Sequence, residues 1–293
     1  MNVIPVCFDS FGVRSTCTFV QCNGLNILID PGLALANTRL GLCPTDNEMN
    51  AFFDYKNKIV DFAKRSDIII VTHYHNGHYI SSQDEIFEEI YSNKIVICKD
   101  RRRKLDITQR NKGKEFEITV KKICKEYLIA DASSFDFKGV KIKFSEPVWH
   151  GEERSMFGYV VMASITEKGF TFMYSSDIMG PVLESTADLI IKENPDLLFL
   201  CSAPTHLLGY GLSQSNFFFI EKNIKKIIDG CKKTKTIIYD HYLIRDLNYM
   251  KYFSKYASWA KAKKIKFVTA AEFINMPIKQ LEALRTIEEE NNF

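Results

Sequence analysis

"THYHNGHY", residues 72–79, holds three of the chain's six histidines within six residues, directly behind the β-branched run Asp67-Ile68-Ile69-Ile70-Val71. That run reads as a buried strand, so the histidines leave from its C-terminal end. His73 and His75 stand two apart on extended backbone, which sends both imidazoles to one side where they can share an ion. His78 comes three residues later, and a helix starting there would point it toward a neighbouring position. A lone histidine is more often a satisfied polar residue than a ligand. Three at this spacing favour a metal site over a polar loop of accidental composition.

Working outward, residues 15–30, "STCTFVQCNGLNILID", contain two β-rich runs joined by Asn23-Gly24, the dipeptide suited to a type I′ hairpin turn. The second run ends at Asp30-Pro31-Gly32, which stops the ladder and leaves a carboxylate at a strand tip. Met49, Phe52, Phe53, Ile59, Val60 and Phe62 carry a helical spacing over 48–64, and a helix at about 82–92 leads to a strand Ile95 to Cys98. Residues 99–127 break this rhythm with Arg101, Arg102, Arg103, Lys104, Arg110, Lys112, Lys114, Lys121, Lys122 and Lys125, and read as a basic, partly helical, solvated insertion. Strands follow at 140–144, 158–166 and 170–175, then a helix at 185–193, a strand at 197–201, a helix at 215–229, a strand at 235–239, a helix at 247–262, a strand at 266–269 and a helix from about 270.

"NILIDPG" and "FTFMYSSDIMG" both run from a strand to an aspartate and then a glycine, and "SDIIIVTH" and "PDLLFLCSAP" are each the next buried strand after a helix. Two similar half-units predict an α/β fold of two packed sheets with outer helices, related by a pseudo-two-fold axis and meeting at their rims, in one domain over 1–293. His150 after "SEPVW", Asp177 after "FMYSS" and His241 after "TIIYD" all fall at strand C-termini, where ligands bind in such sheets. His206 in "SAPTHLLGYG" also follows a strand, with substrate contact or loop capping as its two readings. Glu152 and Glu153 beside His150 offer oxygens to a metal or belong to the surface; Arg245 and Asp246 read as a pair holding the His241 loop, and Phe217, Phe218 and Phe219 as core.

The 46% hydrophobic and 26% charged content is ordinary for a globular chain, and a formal net charge of +3 gives no field of the kind that marks a nucleic-acid binder. The eight cysteines are scattered singly behind no secretory signal, the pattern of reduced thiols in a cytoplasmic protein. No apolar run approaches the roughly 18–20 residues of a membrane span.

In their order, "IDPG", "THYHNGHY", "PVWHGEE", "YSSDIMG" and "YDHYLIRD" resemble the five motifs of the metallo-β-lactamase superfamily over nearly the whole chain. "SEPVWHGEE", "APTHLLGYGLSQSN", "DHYLIRDLNY" and "FVTAAEF" further resemble a largely archaeal branch of metallohydrolases. The resemblance implies a four-layer αβ/βα sandwich of two mixed sheets flanked by helices, with the active site on the rim between the sheets. It also implies a first metal site at His73, His75 and His150, a second at His78 and His241, Asp177 as the bridging carboxylate, and Asp30 as the aspartate that orients a ligand histidine. The usual second motif is H-x-H-x-D-H, and here Gly77 stands at the aspartate position. The second site is thereby weakened.

The function expected on this basis is metal-dependent hydrolysis of an ester, thioester, lactone, amide or phosphodiester by a metal-activated water, with Asp177, His78 and His241 serving catalysis. Zn2+ is the first choice of ion, one of them tightly bound, with Fe or Mn as alternatives. A small-molecule substrate is favoured over nucleic acid. The alternatives are a phosphodiesterase or nuclease of the same fold, or a degenerate metal-binding protein of little turnover.

Overall fold

The computed structural model describes residues 1–290, so the last three positions of the expected 1–293 domain lie outside the described residues. Strands β1 (Asn2–Phe8), β2 (Thr16–Cys22) and β3 (Leu25–Ile29) are antiparallel neighbours. Asn23 and Gly24 join β2 to β3 with φ of 43° and 69°, the positive values that a type I′ turn needs. Three crossovers then extend the sheet in parallel: α1 (Asp46–Lys64) leads to β4 (Ile68–Val71), α2 (Phe87–Tyr91) to β5 (Ile95–Cys98) and α3 (Ile107–Val120) to β6 (Glu126–Ile129). Thr45 and Glu48 form a capping box at the start of α1. All four residues of β4 are buried, as a strand covered on both faces must be, and this is why its sequence is apolar throughout.

The second half repeats the plan. β7 (Ser134–Phe137) and β8 (Val140–Phe144) form a hairpin, β9 (Val148–Trp149) and β10 (Tyr159–Val160) a separate short ribbon, and β11 (Ala163–Glu167) and β12 (Phe170–Tyr174) complete the antiparallel set. Then α4 (Glu184–Glu193) leads to β13 (Leu197–Cys201), α5 (Gln214–Gly230) to β14 (Thr236–Asp240) and α6 (Met250–Ala262) to β15 (Lys266–Val268), all in parallel. The sheet orders are β1-β2-β3-β4-β5-β6 and β15-β14-β13-β12-β11-β8-β7. Phe8 of one sheet meets Phe199 of the other edge to face at 5.2 Å, within a core that draws on both.

Several expectations need correction. The basic stretch 99–127 is no interruption: α3 is the third crossover and β6 pairs with β5. Its charges hide the pattern because they are spent locally, with Arg101, Arg102 and Lys121 all on Glu117, and Arg103 on Glu146 at 3.3 Å. The helix expected over 82–92 is confined to Phe87–Tyr91, and the strand expected over 158–166 is split between β10 and β11. The C-terminal helix is two pieces, α7 (Ala270–Phe273) and α8 (Leu281–Glu290), with Pro277 in the gap. Phe217 is core, while Phe218 and Phe219 are 63% and 44% exposed.

α3 also buttresses the histidine loop. The amide of Tyr74 donates to Gln109 at 3.1 Å and its hydroxyl to the Lys99 carbonyl at 2.6 Å. A Cβ at Gly113 would sit 2.7 Å from the Tyr74 ring, so only glycine lets α3 approach that closely. At Gly32 a Cβ would meet the backbone of His78 and Tyr79 at 2.2–2.6 Å, so the tip of β3 and the histidine loop pack main chain against main chain.

Candidate metal centre

Parallel strands deliver their C-terminal ends to one rim, and six side chains meet there. His73, His75, His150 and Asp177 form one group whose ligand atoms all lie within 4.8 Å of one another; His78, Asp177 and His241 form a second by the same measure, and Asp30, His73 and His78 a third. Asp177 joins the first two. Its Oδ2 lies 3.0 Å from His150 Nε2, 3.3 Å from His78 Nε2, 3.7 Å from His241 Nε2 and 3.9 Å from His73 Nε2. Phe157 flanks the first group, its ring centroid 5.2 Å from that of His150 and 5.9 Å from that of His75.

Three of the five rings, those of His73, His78 and His241, are oriented from behind. Thr72 donates its amide to Asp30 Oδ1 at 2.8 Å and its hydroxyl to Oδ2 at 2.6 Å, which leaves that hydroxyl oxygen to accept from His73 Nδ1 at 3.1 Å. His78 Nδ1 stands 3.0 Å from Asp30 Oδ2, an atom that also accepts from the Tyr174 hydroxyl at 2.9 Å. His241 Nδ1 is 2.7 Å from Asp9 Oδ1, and Asp9 Oδ2 accepts from Arg245 Nε at 2.6 Å. A proton on each Nδ1 satisfies these contacts, and with an ion bound Nε2 would be free to face it, the tautomer that a metal ligand needs. His241 holds φ 92° and ψ −116°, a strained left-handed backbone fixed by its amide on Asp240 Oδ1 at 2.6 Å.

The donor set fits a metal ion. His73 Nε2 and both nitrogens of His150 are buried with no hydrogen-bond partner, a costly arrangement for imidazoles in a core. His150 Nε2 lies near Asp177 Oδ2 yet off the direction of a hydrogen bond, as two atoms do when they point at a third between them. Ligands at about 2.0–2.1 Å around a tetrahedral ion stand roughly 3.3–3.4 Å apart, and the Asp177 distances bracket that value. Burial, reinforced by neighbouring imidazoles, holds His73 well below the usual histidine range and His75 down at about 3, so both are neutral and can donate lone pairs. Burial opposes protonation of His78, but Asp177 and Asp30 outweigh it and lift that ring to about 9. Burial likewise works against the Asp177 carboxylate, and His150, His241 and His78 keep it ionised.

The remaining candidates go elsewhere. Glu152 takes a hydrogen bond from Asn216, and Asn76 one from Lys112 at 2.8 Å, so neither replaces a carboxylate at position 77. Arg245 pairs with Asp9 rather than Asp246, whose carboxylate caps the amide of Asn248 at 2.9 Å. His206 is outside all three groups; its Nδ1 is buried and unpartnered, and burial together with Arg245 and Arg39 pushes it to about 3. Asp9 escaped the sequence reading, because it follows β1 and meets His241 across 232 residues.

Among the described residues no helix is long and apolar enough to cross a membrane. No family model matches the chain. Among solved structures, a protein of Veillonella parvula described as a possible metal-dependent hydrolase superposes with a TM-score of 0.56 at 14% identity, over 88% of this chain and 94% of its own. The isothiocyanate hydrolase from Delia radicum gut bacteria gives 0.53 at 14% identity over the same shares, and the diiron β-hydroxylase of Streptomyces venezuelae 0.50 at 11%, over 88% of this chain and 51% of its own. The architecture is the metallo-β-lactamase fold, two mixed sheets between helices. In sequence, a UPF0282 protein of Methanocaldococcus jannaschii is 36% identical over 293 residues, covering 97% of this chain and 95% of the relative. One from Korarchaeum cryptofilum is 34% identical over 285 residues, covering 97% and 93%. The chain belongs to this archaeal UPF0282 family.

Proposed function

We propose that the protein is a metal-dependent hydrolase that works from His73, His75, His150 and Asp177 on a small-molecule ester, thioester, lactone, amide or phosphodiester. The observation that carries this reading is the convergence of four imidazole Nε2 atoms on one buried carboxylate oxygen, with the nitrogens of His73 and His150 left unpaired. Zn2+ is the favoured ion, Fe or Mn the alternatives, and when bound it supplies Lewis acidity and an activated water.

The chain's own residues supply the rest. Asp177 Oδ2, ionised among imidazoles, is placed to orient a water and take its proton. Asp30 and Asp9 fix the rings of His78 and His241, which flank that oxygen with Nε2 directed at it. Phe157, itself partly exposed, lines one side of the first group. A small substrate is favoured over nucleic acid because the chain's formal net charge is only +3 and the arginine triplet is partly paired, with Glu117 and Glu146. A cytoplasmic setting accords with eight cysteines that are all free thiols.

The test is a panel of chromogenic esters, thioesters, lactones, amides and phosphodiesters, run before and after chelation and with Zn2+, Mn2+ or Fe2+ restored. Turnover of at least one class that falls on chelation and returns with the ion is expected. A folded, metal-loaded protein that hydrolyses none of them would favour the degenerate binding-protein reading.

A further inference from the structure

We infer that Tyr242 supplies the oxygen that position 77 lacks, so that a second divalent ion is held by His78, His241, Asp177 and the Tyr242 phenolate. This rests on the metal-dependent reading proposed above. Tyr242 follows ligand candidate His241 at the start of the short 3-10 turn Tyr242–Arg245, which brings its hydroxyl back over the rim. That hydroxyl donates to Asp177 Oδ2 at 2.8 Å, the same atom that His78 Nε2 approaches to 3.3 Å and His241 Nε2 to 3.7 Å. Its ring packs beside the His241 ring with centroids 4.3 Å apart, and the Arg245 guanidinium lies 4.4 Å from the ring centroid on the phenol's face.

Other oxygens near this position are committed. Asp30 Oδ2 already receives Thr72, Tyr174 and His78; Asn76 serves Lys112, and Glu152 serves Asn216. Gly77 offers none, though a side chain there would be tolerated: its φ is not positive, and an added Cβ would meet only the Arg14 carbonyl oxygen at 3.6 Å. The phenol is therefore the group placed to complete two imidazoles and a shared carboxylate into a four-donor set. Burial and Asp177 hold the free phenol above the ordinary tyrosine range despite the stacked Arg245 guanidinium, so its proton leaves to solvent only as the ion binds.

The experiment is a Zn2+ titration of the chelator-stripped full chain, read by elemental analysis and by competition with a chromophoric chelator, together with the visible spectrum of the ferric form. The wild type is expected to take up about two ions per chain, the second more weakly. Tyr242→Phe should keep the first and weaken the second at least tenfold, and Gly77→Asp in that background should restore it. The ferric wild type should show a phenolate-to-iron charge-transfer band that Tyr242→Phe lacks; because this band is read on the unaltered chain, it decides the matter even if Tyr242→Phe does not fold. A wild type that saturates at one ion, a second ion unaffected by Tyr242→Phe, or a ferric wild type without the band would each overturn the assignment. A wild type that binds no ion at all would instead overturn the hydrolase reading beneath it.

Discussion

The loops after β4 and β13 occupy equivalent places in the two halves, each following the first parallel strand beyond an antiparallel set, yet only the first contributes side chains to the candidate ligand groups. The first carries His73, His75 and His78; the second carries His206, which lies outside all three ligand groups. The preceding strand tips are similarly matched. Asp30 has its oxygens occupied by Thr72, Tyr174 and His78, whereas Asp177 Oδ2 is ringed by imidazole nitrogens, two of which have no hydrogen bond. At the next strand, Lys99 spends its ammonium on two carbonyls and Asp131, while its counterpart His241 keeps Nε2 directed at Asp177. A polar residue at a strand tip is thus common to both halves. What separates the two loops is whether several donor atoms converge on one point.

The strongest way to break this comparison is to remove one histidine from each side. His150→Ala should weaken the tight ion by more than ~100-fold, beyond what removing an outer partner costs, and should abolish turnover. His206→Ala should leave both within about twofold, since ring size and loop packing are all it loses. Metal content and activity of the two variants, measured side by side, check this. Equal losses would mean the second loop also belongs to the centre.

A smaller effect is expected one layer out. Asp30→Asn and Asp9→Asn keep the shape but take the charge from behind His78 and His241, and each should cost roughly 10–100-fold in affinity for the ion on that ring. Competition titrations that found Asp9→Asn silent would show that the 2.7 Å contact to His241 is only structural.

The smallest expected change concerns the tie between the two rims. Glu282 on α8 binds Arg14 of the first half, and Arg39, which it also holds at 3.0 Å, donates to the Arg245 carbonyl of the second half at 2.7 Å. Burial opposes ionisation of Glu282, but Arg14 and Arg245 outweigh it and hold the carboxyl at about 2, against an ordinary 4.5. A carboxyl lowered on folding adds stability above its unfolded value, and that stability is lost as pH falls from about 4.5 toward 2. Glu282→Gln should therefore lose about 1–2 kcal/mol at neutral pH and show a flatter acid limb. Chemical unfolding at pH 7 and pH 3 measures both; an unchanged acid limb would remove Glu282 as the tie.

The strand tips were legible in the sequence because short apolar runs such as Ile68–Val71 and Leu197–Cys201 are buried on both faces and end abruptly in polar residues. The Asn23-Gly24 hairpin was legible because its turn chemistry is local. Contacts across the fold were not. Asp9 reaches His241 over 232 residues, and Arg285 reaches Glu48 over 237, so no window of sequence contains either pair. α3 was masked as an insertion because basic residues crowd both its ends and its exposed face, leaving few apolar positions to mark the core side. The direction of the Tyr242 hydroxyl depends on the strained backbone at His241, which residue types alone do not specify.

The most direct measurement is anomalous diffraction at the zinc edge from crystals of the unaltered chain grown with Zn2+. The account predicts its strongest peak among Nε2 of His73, Nε2 of His150, the ring of His75 and Oδ2 of Asp177, the group that the fold assembles from β4, the β9 ribbon and β12. A density map without a peak there, or with its strongest peak at His206 or at a cysteine, would contradict it.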